Sequence, residues 1–311
     1  MKLLKSNITL VIICAGVLGY VSMLCLFFFE EIAGMPAIIY EGKQKNFFHE
    51  NPAYLMWLSV MLLQGALWFI LLFPATVIIL RIKKELGKEF NLLKTFAILL
   101  IALLVLTTAG RFTIFNYLTD PVSSFDHHSI KLQTFTSIAR AVGIYFLAGI
   151  VLVGRKCIRN MEVRDYDITD YLRLRGYQDM LLNFAGLVLS LGVITSILFN
   201  KAVSLQHQAD QVAFPPEFVI AFGLLNTLVI VIFYLPNYFI MLDYGKRIVE
   251  SKFPLETAKK EIIQANFENQ KGLSENLRIE LTLPESIKKT MLILSPFLSS
   301  LLPKFFDLFG K

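Results

Sequence analysis

Two arginines, Arg111 and Arg140, stand inside stretches that are otherwise apolar. A guanidinium at the centre of a membrane helix costs about 2.5–3.5 kcal/mol on insertion scales, so such a residue is a functional candidate by default. Arg111 falls near the end of its stretch and Arg140 near the start of the next. Successive spans run in opposite directions, which brings both to the outer half of a bilayer, about 6–10 Å below its surface at 1.5 Å per residue. Two chemistries are open to this pair. Side by side they line a cavity that accepts an anion. Otherwise they bond outer acids such as Asp120, Asp126, Glu217 and Glu30, or snorkel to the surface. Two prolines, Pro74 and Pro236, lie at similar depth in the inner halves of their stretches. Proline lacks an N–H and clashes with the preceding turn. Paired breaks of this kind surround the sites of some transporters, and a tolerated kink is the plainer outcome.

Other groups carry less. The four histidines are His49, His127, His128 and His207. All fall in expected outer loops, with Glu50, Asp126 and Asp210 close by in sequence. Imidazole and carboxylate suit a divalent metal, yet no H-E-x-x-H or equivalent spacing is present, so no metal and no cofactor is expected. Intramembrane CAAX-type proteases have paired glutamates followed four residues on by Arg; after Glu30–Glu31 that position is Met35, so the pattern is not met. G-x-S-x-G, Walker A and G-x-G-x-x-G are also missing, and the chain is read as non-enzymatic. Gln64, Asn183, Asn226 and Asn237 lie in apolar stretches, where hydrogen bonds between helices are worth about 1 kcal/mol or less each.

The elements that would hold these residues are six long apolar runs, at about 8–29, 53–80, 95–118, 136–154, 180–200 and 217–242. A crossing helix needs about 20 apolar residues. Taking the segments between runs alternately, one side holds 24 of the 30 lysines and arginines and the other only 4. Lys and Arg resist transfer across the bilayer, so the basic side is cytoplasmic. The expectation is an all-α, polytopic, six-span membrane domain over 1–242, with both termini in the cytoplasm of a plasma (inner) membrane. Composition agrees: 55% of residues are hydrophobic and 17% charged, with mean hydropathy +0.60. Soluble domains run about 45–50% and about 25%. The net charge of +6 is then orientation charge facing an anionic leaflet, not a nucleic-acid footprint. None of Cys14, Cys25 and Cys157 falls in an outer loop, so no disulfide is expected.

Residues 155–179 read as a solvated extension of the fourth span turning at Gly176. Residues 243–311 read as a cytoplasmic tail. Within it, Leu255–Gln270 has helical periodicity that Gly272 would stop, and Leu277–Leu283 alternates like a strand. Thr282-Leu-Pro-Glu285 matches a capping box. Then Ile287, Met291, Leu294, Leu298, Leu301, Phe305 and Leu308 form one apolar face of an amphipathic helix near 283–309. Its uninterrupted apolar part is too short to span, so it either lies in the inner leaflet or docks on protein. Ala15/Gly19 and Ala139/Gly143 mark close helix contacts, and Trp57, Trp68, Tyr54, Tyr117 and Tyr238 are partly placed as interface anchors. The function expected is a channel- or transporter-like conducting component, working as a homo-oligomer or in a membrane complex. The alternative is a scaffold or membrane-perturbing effector that engages partners through its tail.

Overall fold

The computed structural model describes residues 11, 13–22, 38–40, 43–45, 52–87, 126–206, 216–255, 260–279 and 283–302. Its helices, in chain order, are α1 (Ile13–Ser22), α2 (Pro52–Leu86), α3 (Asp126–Glu162), α4 (Ile168–Gln206), α5 (Pro216–Lys252), α6 (Lys260–Asn276) and α7 (Leu283–Ser300). A small antiparallel hairpin, β1 (Ile38–Tyr40) with β2 (Lys43–Lys45), pairs Ile38 with Lys45. Four helices are long and apolar enough to cross a membrane, over Leu55–Leu86, Ala141–Glu162, Ile168–Leu198 and Val219–Lys252. The 95–118 run lies outside the described residues, as does most of the first run beyond α1.

Local chemistry sets the ends of these helices. Pro52 and Pro216 open α2 and α5, where a missing N–H costs nothing. Asp167 caps α4 by accepting from the Thr169 amide at 3.0 Å. At the end of α2, Gly87 takes φ 71° and its amide reaches the Lys83 carbonyl at 3.2 Å. The ends of α3 and α6 are alike. After α3, the Asp165 amide donates to the Asn160 carbonyl and the Arg164 amide to Met161. After α6, Ile279 donates to Ser274 and Arg278 to Glu275. Both are Schellman motifs, and each places an arginine rather than glycine at the left-handed position, Arg164 at φ 55° and Arg278 at φ 53°.

Several expectations are corrected here. Gly176 is interior to α4 with open space around it, and the turn between α3 and α4 is at 163–167 instead. Gly272 does not stop α6, which runs on to Asn276. Leu277–Ile279 is the Schellman turn and not a strand: the pattern of buried Leu277 and Ile279 around exposed Arg278 comes from the turn. Trp57 and Trp68 are buried in the core and do not anchor an interface. Thr282 lies outside the described residues, while Glu285 of the expected capping box accepts from Arg278 at 2.9 Å.

The packing is a diamond. α3 and α4 form the central pair, and each touches both α2 and α5, which do not pack side by side. α7 fills the groove between α4 and α5. Small residues make these approaches possible: a methyl added at Gly143 would meet Leu189 at 3.2 Å, and one at Gly19 would meet the Gly65 carbonyl of α2 at 2.8 Å. Outward faces are apolar, with Leu63, Val77, Leu187, Leu228 and Phe239 exposed, while Gln64, Thr195, Asn226 and Asn237 are buried. Polar-in and apolar-out is what a lipid solvent selects, because polar groups left in hydrocarbon cost several kcal/mol.

Candidate functional site

The residues singled out by type do not converge. Arg111 lies outside the described residues, and Arg140 is on α3, immediately before the described span, with its side chain outside them. Pro74 is half-buried in α2, and Pro236 is exposed on the outer surface of α5. Because Pro236 faces away from the bundle, the two breaks do not face one another. The side chains of all four histidines lie outside the described residues. Asn183 points outward from α4, whereas Asn237 bonds its own turn through Phe233 O at 2.7 Å and fills the space left by Gly154.

Polar side chains gather in two other places. The first is a network across the base of the bundle. Asn160 of α3 is buried and donates from Nδ2 to Asp170 Oδ2 at 2.7 Å and to Tyr244 Oη at 3.0 Å. Tyr244 Oη donates onward to the Asp165 carbonyl at 2.9 Å. On the other side of Asp170, Arg173 bridges that carboxylate and Glu85 of α2, the latter at 2.8 Å. Four helices and one turn are thereby joined, and the bonds to charged groups are the strong ones. Two further guanidinium groups bind main chain instead of acids. Arg159 donates to the Glu85 and Leu86 carbonyls, closing the end of α2. Arg175, buried in α4, donates to Tyr171 Oη at 3.2 Å, to Leu277 O at 2.5 Å and to Arg278 O, closing the end of α6. A cation at a helix C-terminus meets the negative end of the macrodipole, which helps to stabilise it without a carboxylate.

The second gathering is the seam of α4 with α5 and α7. At one end Lys289 of α7 pairs with Asp179 at 2.8 Å and sits 5.5 Å over the Tyr238 ring, which stacks on Tyr234. Farther along, Ser190 Oγ donates to Ser295 Oγ at 2.9 Å, and the Phe297 amide donates to Thr227 Oγ1 at 3.2 Å. On the far side of α4, Thr195 Oγ1 donates to Gln64 Oε1 at 2.8 Å. Four buried donors on these helices have no hydrogen-bond partner among the described residues: Arg173 Nε, Gln178 Nε2, Tyr234 Oη and Gln64 Nε2. Such groups are rare because each carries a desolvation cost of about 1–3 kcal/mol.

By residue type the sequence points to Gln64, Asn226 and Asn237, while its charges at 155–179 have the pattern of a solvated face. The one available signal was the spacing of Asp167, Asp170 and Arg173, a helix start followed by an acid and a base three apart. Among the described residues, no group of three or more His, Cys, Asp or Glu side chains is placed to hold a metal ion. Comparison of the chain with protein-family models, with curated proteins and with solved structures finds no match.

Proposed function

We propose that this chain is a non-enzymatic membrane component of the channel or transporter kind, acting as a homo-oligomer or within a membrane complex. The observation that carries the reading is the set of buried donors along α4 and its neighbours that have no partner among the described residues. Gln178 stands near the inner end of α4, and Gln64 meets α4 at Thr195. Those two levels are about 25 Å apart at 1.5 Å per residue. A pathway for a hydrated or polar solute would supply such donors with acceptors from the solute or its water. In this reading the bundle crosses a plasma (inner) membrane six times, with the N-terminus and the basic segments at 81–94, 155–179 and 243–289 on the cytoplasmic face. Arg111 and Arg140 then supply an outer vestibule that favours anions, while Pro74 and Pro236 soften their helices toward the inner end.

A second reading is a membrane scaffold or effector. It is favoured by α6, which exposes Ile262, Ile263 and Phe267 to whatever surface it meets. Flux through liposomes reconstituted with the native oligomer and its complex partners separates the two. Solute passage that loses anion preference in the double variant Arg111→Ala, Arg140→Ala is the expected result. No passage of any ion or small solute would leave the scaffold reading standing. Passage with unchanged selectivity would keep the pathway and remove these arginines from it.

A further inference from the structure

The helix α7 carries a topological consequence that the distribution of charge conceals. Its contacts climb in step along both neighbours. Lys289 meets Asp179 and Tyr238, Leu292 meets Gly186, Ser295 meets Ser190, Phe297 meets Thr227, and Ser300 with Pro296 meets Gly223. Residue numbers rise along α4 and fall along α5, so α7 is parallel to the first and antiparallel to the second. From Lys289 to Ser300 it advances about 16 Å, more than half of a hydrocarbon core about 30 Å thick. At Gly223 it is within about 10 Å of the start of α5 at Pro216, by the same rise per residue.

The polarity of α7 points the same way. A helix docked on protein from water turns its apolar stripe inward. Here Ile287, Met291 and Leu298 are exposed, while Ser295, Pro296 and Ser300 face the bundle. Gly186 with Ser190, and Gly223 with Thr227, are small residues four apart on α4 and α5 at the places where α7 comes closest. That is how helices associate in lipid, where apolar surface gains nothing by hiding from its solvent. Pro296 interrupts the apolar pattern in sequence without ending the helix, because the Thr227 hydroxyl accepts from the next amide.

We infer that α7 is a further membrane crossing, anchored at the cytoplasmic boundary by Lys289, and that the chain beyond it emerges on the opposite face. This replaces the expected cytoplasmic position of Lys311. The inference rests on the bundle being membrane-embedded, not on its conducting anything.

Two added cysteines test it, Ser274→Cys on α6 and Lys311→Cys, each read as the labelling gained over the parent chain with its own three cysteines, in whole cells treated with an impermeant maleimide. An epitope appended after Lys311, read by antibody before and after permeabilisation, gives an independent readout if either thiol is unreactive. The expected result is full labelling at position 311 in intact cells and labelling at 274 only after permeabilisation. If 274 is outside and 311 inside, the bundle is inverted but the crossing stands. If both positions report the same side, α7 does not cross and the inference is overturned.

Discussion

Replacing Asn160 with alanine should be among the most damaging single changes in the described bundle. The side chain is buried, and its Nδ2 donates to a carboxylate, Asp170, and to a phenol, Tyr244. A hydrogen bond to a charged group contributes about 1.5–3 kcal/mol and a neutral one about 1 kcal/mol. Their joint loss is therefore about 2.5–4 kcal/mol. Each kcal/mol shifts the midpoint of a large domain by about 2–4 °C, so the fall in Tm should be roughly 5–15 °C. The chain supplies a reporter, because Cys157 is buried and reacts with a thiol dye only when the bundle opens. Exposed Cys14 and the third cysteine, Cys25, are first replaced by serine in the parent chain, so that Cys157 alone reports. Combining Asn160→Ala with Tyr244→Phe should give less than the sum of the two losses, by about 0.5–1.5 kcal/mol, since both remove the same bond. A Tm within 2 °C of the parent, or strict additivity in the double variant, would refute the idea that this network ties the four helices together.

Other expectations follow from single contacts. A side chain at Gly223 would meet Ser300 Cβ at 2.6 Å and the Pro296 carbonyl at 2.7 Å, so Gly223→Leu should cost about 1–3 kcal/mol and expose α7 to limited proteolysis. An unchanged digestion pattern would count against the packing of α7. Arg159 donates to the Glu85 and Leu86 carbonyls from one nitrogen, Nη1, so Arg159→Lys, with three donors on one nitrogen, should keep part of this cap and Arg159→Ala none of it. Tm should fall further for Arg159→Ala than for Arg159→Lys, and full retention by both would refute the capping role. Gln64→Leu removes a bare donor and leaves Thr195 bonded to Leu191 O at 2.8 Å. Its stability should stay within about 1 kcal/mol of the parent, so an altered flux in this variant would report on the pathway rather than on folding.

The long helices were legible because burial in lipid demands long apolar runs, and no soluble pattern competes with that signal. Their ends were not. α3 and α4 continue well past the apolar run, and the turn between them is set by Arg164 in a conformation that favours glycine. Reading glycines as punctuation therefore put the turn at Gly176 and the end of α6 at Gly272, both inside helices. A stripe such as that of Ile287, Met291 and Leu298 on α7 does not by itself say whether water or lipid is its solvent, and in the structure these three side chains are exposed. The base network was hidden for a different reason: Asn160, Asp170, Arg173 and Glu85 are ordinary surface types, and only tertiary packing buries the first of them.

The central position of α3 and α4 bears on how the bundle assembles. They are consecutive helices closed by the short turn at 163–167, and they touch α2 and α5 alike. Bringing them together requires almost no loop closure, and both α2 and α5 pack against the pair. The pair is therefore the natural nucleus, with α2 and α5 condensing onto it and α7 sealing the groove last. Substitutions should divide by kinetic limb: one at Gly143, inside the pair, should slow folding, and one at Gly223, in the late seam, should chiefly hasten unfolding.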